Sequence, residues 1–253
     1  MKILETLRDL IFPDSIYCIG CGAIIDRSRP YALCDSCREK FHFANGKTCR
    51  VCGRILTEDY YTDICNDCLR FERNFDRGYT TLQYGLYERP VLRQFKYSGR
   101  AYYAKHLGRM MADRLRLDMP EAELVVPVPL HPDKLKLRGY NQAGLLAKVL
   151  AEELGLEYAD VLERTVATTP MAHLSREQRM MNLDGVFRVR EDFLDEVRGR
   201  SIILVDDIYT TGSTAENCIA ALRDAGADKV ICYTLAAGGN PPPDRDLQNE
   251  APL

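Results

Sequence analysis

No stretch of this chain approaches the roughly 18 uninterrupted apolar residues that a spanning helix needs, so no membrane span is expected. The first twenty residues hold no apolar core followed by a small-residue cleavage site, so no secretory signal is expected. The expected location is the cytoplasm. Cysteine is nearly missing from most of the sequence: only Cys218 and Cys232 fall in the last 185 residues, whereas eight of the ten lie between Cys18 and Cys68. That change in composition near residue 75 predicts three parts: 1–75, a short helix followed by a cysteine module; 76–239, an α/β domain; and 240–253, a polar, disordered tail after Pro241-Pro242-Pro243.

The cysteines form an internal repeat. Cys18-x-x-Cys21, twelve residues, then Cys34-x-x-Cys37 recurs as Cys49-x-x-Cys52, twelve residues, then Cys65-x-x-Cys68, at a constant offset of 31. Gly22 and Gly53 follow the second cysteine of each copy, and Ile24 and Ile55 occupy the same next apolar position. In a reducing compartment such pairs serve metal binding rather than disulfides. A C-x-x-C turn places two sulfurs on two corners of a zinc tetrahedron, and the trailing glycine permits the backbone such a turn needs. A segment of about 50 residues poor in large apolar side chains also gains folding energy from metal cross-links. Two structural zinc ions are expected, with no coordination position left for catalysis. Pairing within each repeat is the simpler arrangement, and interleaving of the first and third knuckles is the alternative. Ahead of the module, Ile3, Leu4, Leu7, Leu10 and Ile11 have helical spacing that Pro13 ends.

The net charge of −3 is unevenly spread. Residues 89–140 carry eleven basic and five acidic side chains, whereas residues 141–253 carry eleven and nineteen. A basic stretch in an acidic protein suggests an anionic partner, against the plainer reading of a solvated surface. Within it Tyr84, Tyr87, Tyr97, Tyr102 and Tyr103 alternate with Arg89, Arg93, Lys96, Arg100 and Lys105. Rings that stack on unpaired bases and cations that follow a backbone are the equipment of single-stranded nucleic-acid binding. Arg93, Lys96, Tyr97 and Arg100 are the candidate contacts, and at least half of the tyrosines are expected in the core.

From residue 79 apolar runs alternate with amphipathic stretches. Strands are predicted at 79–84, 124–128, 160–163, 186–189, 202–206 and 229–235, and helices at 89–97, 102–116, 140–154, 174–182 and 214–225. This order predicts an α/β domain with a mainly parallel sheet and flanking helices, in which ligands bind beyond the C-terminal strand ends. The run from Ser201 to Val205 leads into Asp206-Asp207-Ile208-Tyr209 and then Thr210-Thr211-Gly212-Ser213-Thr214, which opens a helix. Small hydroxyl residues and one glycine at a helix start offer amides, hydroxyls and a positive dipole end to a phosphate. The two carboxylates would repel that phosphate, so they face another part of the ligand, such as sugar hydroxyls or magnesium.

The whole string from Val205 to Thr214 resembles the signature of type I phosphoribosyltransferases, which bind 5-phosphoribosyl-1-pyrophosphate. The resemblance implies that Asp206 and Asp207 hold the ribose hydroxyls, that Thr210, Thr211, Gly212, Ser213 and Thr214 hold the 5-phosphate, and that magnesium accompanies the ligand. Phe95 to Arg100, Val126 to His131, Arg138 to Gln142 and Leu174 to Arg179 follow one another as in the ComF competence family, and the likeness runs from about residue 11 to 237. That resemblance implies a part in single-stranded DNA uptake during natural transformation, with a DNA-translocating helicase as a partner. Arg138, Arg176 and Arg179 then become candidate pyrophosphate contacts, since guanidinium groups suit multidentate phosphate binding. The alternative is an active phosphoribosyltransferase on an unidentified acceptor, unrelated to DNA. Thr210 stands where enzymes acting on 6-oxopurines generally have an acid, which makes purine salvage the weakest reading.

Overall fold

The computed structural model describes residues 16–58, 60–164 and 185–239. The helix predicted near the N-terminus, the helix predicted at 174–182 and the tail lie outside them. Two short helices, α1 (Asp35–Lys40) and α2 (Asn66–Arg70), each start from the third cysteine of a repeat. The α/β domain follows as β1 (Arg77–Tyr84), α3 (Glu88–Tyr97), α4 (Tyr103–Leu115), β2 (Leu124–Pro127), α5 (Pro132–Arg138), α6 (Gln142–Leu154), β3 (Glu157–Tyr158), β4 (Leu162–Arg164), β5 (Phe187–Val189), α7 (Leu194–Val197), β6 (Ser201–Tyr209), α8 (Ser213–Asp224) and β7 (Lys229–Gly238).

Five strands form a parallel sheet in the order β1-β7-β6-β2-β3. The central strands read as unbroken apolar runs because helices cover both faces. Side-chain alternation sorts the core. Ile203, Val205, Ile231 and Tyr233 pack with α4 and α6 through Leu107, Met111, Leu146 and Leu150. Ile202, Leu204, Val230 and Cys232 pack on the other face with Ile219 and Leu222 of α8. Each such aliphatic side chain contributes about 1.5–3 kcal/mol through burial, so these two layers fix where the C-terminal strand ends lie.

Two expectations are corrected. The segments predicted as strands at 160–163 and 186–189 form a separate antiparallel pair, β4 with β5, and the fifth strand of the main sheet is the two-residue β3. Strands of two or three residues carry too little periodicity to reveal their partner. Helix α5 was not expected. Its only apolar side chains, Leu135 and Leu137, are exposed, so it has no buried stripe to read. Its local signals are nevertheless present: His131 Nδ1 accepts from Asp133 N–H, Pro132 opens the helix, and Gly139 ends it with φ 82°.

The cysteine module packs against β1. Ala44 donates to Thr81 O (2.9 Å) and Gln83 to His42 O (2.9 Å), so residues 42–44 run antiparallel beside the strand. Further along, Gly78 N–H donates to Val51 O at 2.6 Å. Gly53 and Gly78 permit that approach: a Cβ on Gly53 would lie 2.5 Å from Tyr79 Cα, and one on Gly78 would lie 2.6 Å from Cys52 Cα. The first repeat joins the core face of α4 through Cys18, Ile19, Leu33 and Phe41. The second joins the face of α8 through Cys49, Cys52, Leu56, Tyr60 and Cys65.

Candidate functional site

The eight cysteines gather as Cys18, Cys21, Cys34 and Cys37, and as Cys49, Cys52, Cys65 and Cys68, with each set's sulfurs within 4.8 Å of one another. Pairing is therefore within each repeat. Zinc–sulfur bonds of about 2.3 Å give a tetrahedron whose edge is about 3.8 Å. The Cys21–Cys34 and Cys52–Cys65 sulfurs stand 3.8 and 3.7 Å apart, so both sets fit zinc, and the group they would hold is a structural cross-link. Their turns match bond for bond. Gly22 donates to Cys18 O and Gly53 to Cys49 O, both at 2.8 Å, while Cys34 N–H points at Cys18 Sγ (3.4 Å) and Cys65 N–H at Cys49 Sγ (3.3 Å). Both glycines sit at positive φ, 77° and 73°.

Strand β6 carries Asp206 and Asp207 past the end of β2 while still paired with β7, and their alternation sends them opposite ways. Asp207 Oδ1 meets Lys96 Nζ of α3 at 2.9 Å, with both side chains mostly buried. Asp206 lies on the side of Cys218 and Cys232 and accepts from Asp207 N–H at 2.8 Å. Burial, and then the Asp207 charge, push the Asp206 carboxyl up to about 7, against the pull of Lys96. Past Tyr209 the chain turns through Gly212, at φ 83°, into α8. A Cβ there would strike the Tyr209 phenol, so glycine is required by conformation and by space. Thr211 and Ser213 hydroxyls lie 2.9 Å apart, and the first amides of α8 have no partner within the helix. This is the shape of a phosphate cradle, with Thr210 exposed, Thr211 and Thr214 half-buried, and Ser213 buried beneath.

Lys134 of α5 holds its proton less tightly than usual through partial desolvation and the nearness of Arg164, Arg138 and Lys96. Arg138 bridges Gln142 Oε1 (3.0 Å) and Tyr97 OH (3.2 Å), and its guanidinium lies 4.8 Å from the Tyr97 ring centre. Beside Ile208, α3 borders a cleft of about 740 Å3 lined by Tyr84, Arg89, Arg93, Lys96 and Tyr97.

The predicted residues thus come together in part. Asp206, Asp207 and Thr210 to Thr214 share one strand, turn and helix start, Arg138 lies against Tyr97 of α3, and Arg176 and Arg179 lie outside the described residues. Arg93, Tyr97 and Arg100 are exposed on and just beyond α3; Lys96, read from sequence as a nucleic-acid contact, turns inward to Asp207. The expectation that half the tyrosines are core is corrected: Tyr103 is buried and Tyr84 partly so, while Tyr87, Tyr97 and Tyr102 are exposed. Arg100 and Arg138 already lie against the Tyr102 and Tyr97 rings. Sequence reasoning missed Lys134, Arg164, Arg54 and Arg73, the last two of which donate to carbonyls of the phosphate loop. Arg54 had a signal, because the position 31 residues earlier is Ala23.

Comparison with known proteins agrees with this geometry. Residues 7–69 match the double zinc ribbon domain and residues 141–247 the phosphoribosyl transferase domain. Competence protein F of Haemophilus influenzae is 29% identical over 231 residues, covering 87% of this chain and 96% of that protein. DNA utilization protein YhgH of Escherichia coli is 29% identical, covering 80% and 97%, and competence protein ComFC of Bacillus subtilis is 26% identical, covering 80% and 83%. Among solved structures, the glutamine phosphoribosylpyrophosphate amidotransferase of B. subtilis aligns at a TM-score of 0.39 and 21% identity, over 56% of this chain and 30% of that one. With a double zinc ribbon match ahead of a phosphoribosyl transferase domain match, and with such relatives over most of its length, the chain is similar to the ComF-type competence proteins.

Proposed function

We propose that this protein binds 5-phosphoribosyl-1-pyrophosphate with magnesium at the loop from Asp206 to Thr214, and that it handles single-stranded DNA in the cytoplasm during competence. The observation that carries the reading is the turn between β6 and α8, where two adjacent carboxylates, one paired with Lys96, precede small hydroxyl residues at the open amides of a helix start. The 5-phosphate takes the amides of α8, the carboxylates take ribose hydroxyls and magnesium, and the cations of α3 and α5 take pyrophosphate. The DNA part is supported by the exposed Tyr97, Tyr102, Arg93 and Arg100 and by relatives named for competence and DNA utilization. A DNA-translocating helicase of the uptake machinery is the protein partner that the likeness to competence proteins suggests.

Calorimetric titration with magnesium and the phosphoribosyl ligand tests the first part. An Asp206→Asn, Asp207→Asn double variant is expected to bind about 1–3 kcal/mol more weakly, and equal titrations would count against the assignment. For the second, affinity for a labelled oligonucleotide should fall with salt by a slope of roughly 0.7 per phosphate contacted. Removing Arg93 and Arg100 should flatten that slope, whereas Tyr97→Ala should weaken binding by about 1–3 kcal/mol at unchanged slope. A charge variant that binds like wild type at every salt concentration would move the DNA site elsewhere.

A further inference from the structure

The second zinc ribbon touches the phosphate loop, and the contact is made by two arginines. Arg54, next to Gly53 in the third knuckle, donates Nη2 to Thr210 O at 2.8 Å. It is anchored by Asp67 of α2 at 3.0 Å, and its side chain is 5% exposed. Arg73, just past α2, donates Nη1 to Thr211 O at 3.3 Å and faces Glu216 of α8 at 3.6 Å, with side chains 1% and 7% exposed. Asn74 N–H donates to the other Glu216 oxygen at 3.0 Å. Both guanidiniums also flank the Tyr209 ring, 5.9 Å from its centre.

A peptide unit is planar and trans, so the carbonyl of one residue and the amide of the next point in opposite directions. Tying Thr210 O and Thr211 O to the ribbon turns the Thr211 and Gly212 amides away from it, toward the cradle. Carbonyls facing the cradle would repel a phosphate. Arg54 lies beside Cys52 and Cys65, and Arg73 beside Cys68. Zinc with four thiolates carries a net charge of about −2, and these guanidiniums are the neighbours that balance it. In the first repeat the positions matching Arg54, Asp67 and Arg73 are Ala23, Ser36 and His42, so nothing equivalent is built there.

We infer that Arg54 and Arg73 are positioning residues through which the second zinc ribbon sets the orientation of the phosphate loop. The role deepens the reading of that loop as the phosphoribosyl site and rests on it only for the identity of the ligand. Occupancy of the second ribbon and affinity at the loop are then linked reciprocally, each raising the other by the same factor.

Two measurements on the full, zinc-loaded chain test this. The first is amide hydrogen exchange without ligand. An Arg54→Met, Arg73→Met variant that retains two zinc ions should exchange about tenfold faster across residues 210–216, with β2 and α6 protected as in wild type. Cys21→Ser, in the first repeat, should leave that loop unchanged. The second is titration with magnesium and 5-phosphoribosyl-1-pyrophosphate, in which the double variant should bind about tenfold to a hundredfold more weakly. If the double variant fails to fold, Arg54→Lys, which keeps the charge but loses the forked donor, should show a smaller rise in the same peptide. Unaltered loop exchange with unaltered affinity would overturn the positioning role while leaving the ligand in place. Faster loop exchange in a protein whose wild type ignores the ligand would support the role and overturn the ligand.

Discussion

The two cysteine repeats share their spacing, their turns and their hydrogen bonds, and both reach the core, yet their ligands are not equally buried. In the first, Cys21 is exposed and Cys34 and Cys37 are half-buried; in the second, Cys49, Cys52 and Cys65 are buried. Duplication supplied two equal metal-binding units, and the surroundings made them unequal. The copy that packs on the α8 face gained Arg54, Asp67 and Arg73, whereas the other kept small or polar residues there. A ligand set read from spacing therefore says what a unit binds, and burial says what depends on it.

The largest expected contrast comes from removing one ligand in each copy. Cys65→Ser should release one zinc and lower the stability of the whole chain by more than about 4 kcal/mol, since the cluster is continuous with the core under α8. Cys34→Ser should also release one zinc while the α/β domain melts as before. Elemental analysis and thermal unfolding check both, and equal melting losses would break the comparison. The knuckle glycines come next. Gly22→Ala meets open space and should cost about 1–2 kcal/mol for positive φ alone, whereas Gly53→Ala adds a clash with the β1 backbone and should cost about 3 kcal/mol or more in urea unfolding.

Ion pairs give a smaller contrast. Asp67→Asn, which loosens the buried Arg54, should cost about 1 kcal/mol, and Asp35→Asn, which breaks the exposed pair with Arg29, about 0.5 kcal/mol or less. A pH slope on the second repeat's side of the sheet gives a contrast of another kind. The folded state holds the Asp206 proton up to about 7, whereas the unfolded chain releases it near the ordinary carboxylate value of 3.8. Across that window the folded state binds more protons, so this group lowers stability as pH rises through it and adds no slope above. Asp206→Asn should remove that part of the difference between urea midpoints at about pH 5 and about pH 8.

Much of this was legible in the sequence. The cysteine offset revealed both metal sets, and the string from Val205 to Thr214 revealed the strand, cradle and helix, because each depends on residues close in the chain. The pairing of the cysteines was left open, and geometry settled it. Lys96 was misdirected, since α3 gives no hint of which neighbour it meets until β6 is placed beside it. The exposed Tyr87, Tyr97 and Tyr102 likewise depend on which parts of the α3 region another element covers. Lys134 sits on a helix with no apolar stripe, and Arg164 on a strand of three residues. Their nearness to each other is purely tertiary.

Residues 42–44, lying along β1, decide how this molecule behaves toward copies of itself. A parallel sheet ends in strands whose outer amides and carbonyls can recruit another chain's backbone. At one border β3 is only two residues long, too short a template to matter. At the other, β1 has eight residues, and the stretch joining the two repeats occupies part of its outer row. That stretch is held at both ends by cysteine clusters, so the metals guard solubility as well as shape. A chain stripped of zinc is expected to bare that border as its stability falls, and so to stick to other copies of itself.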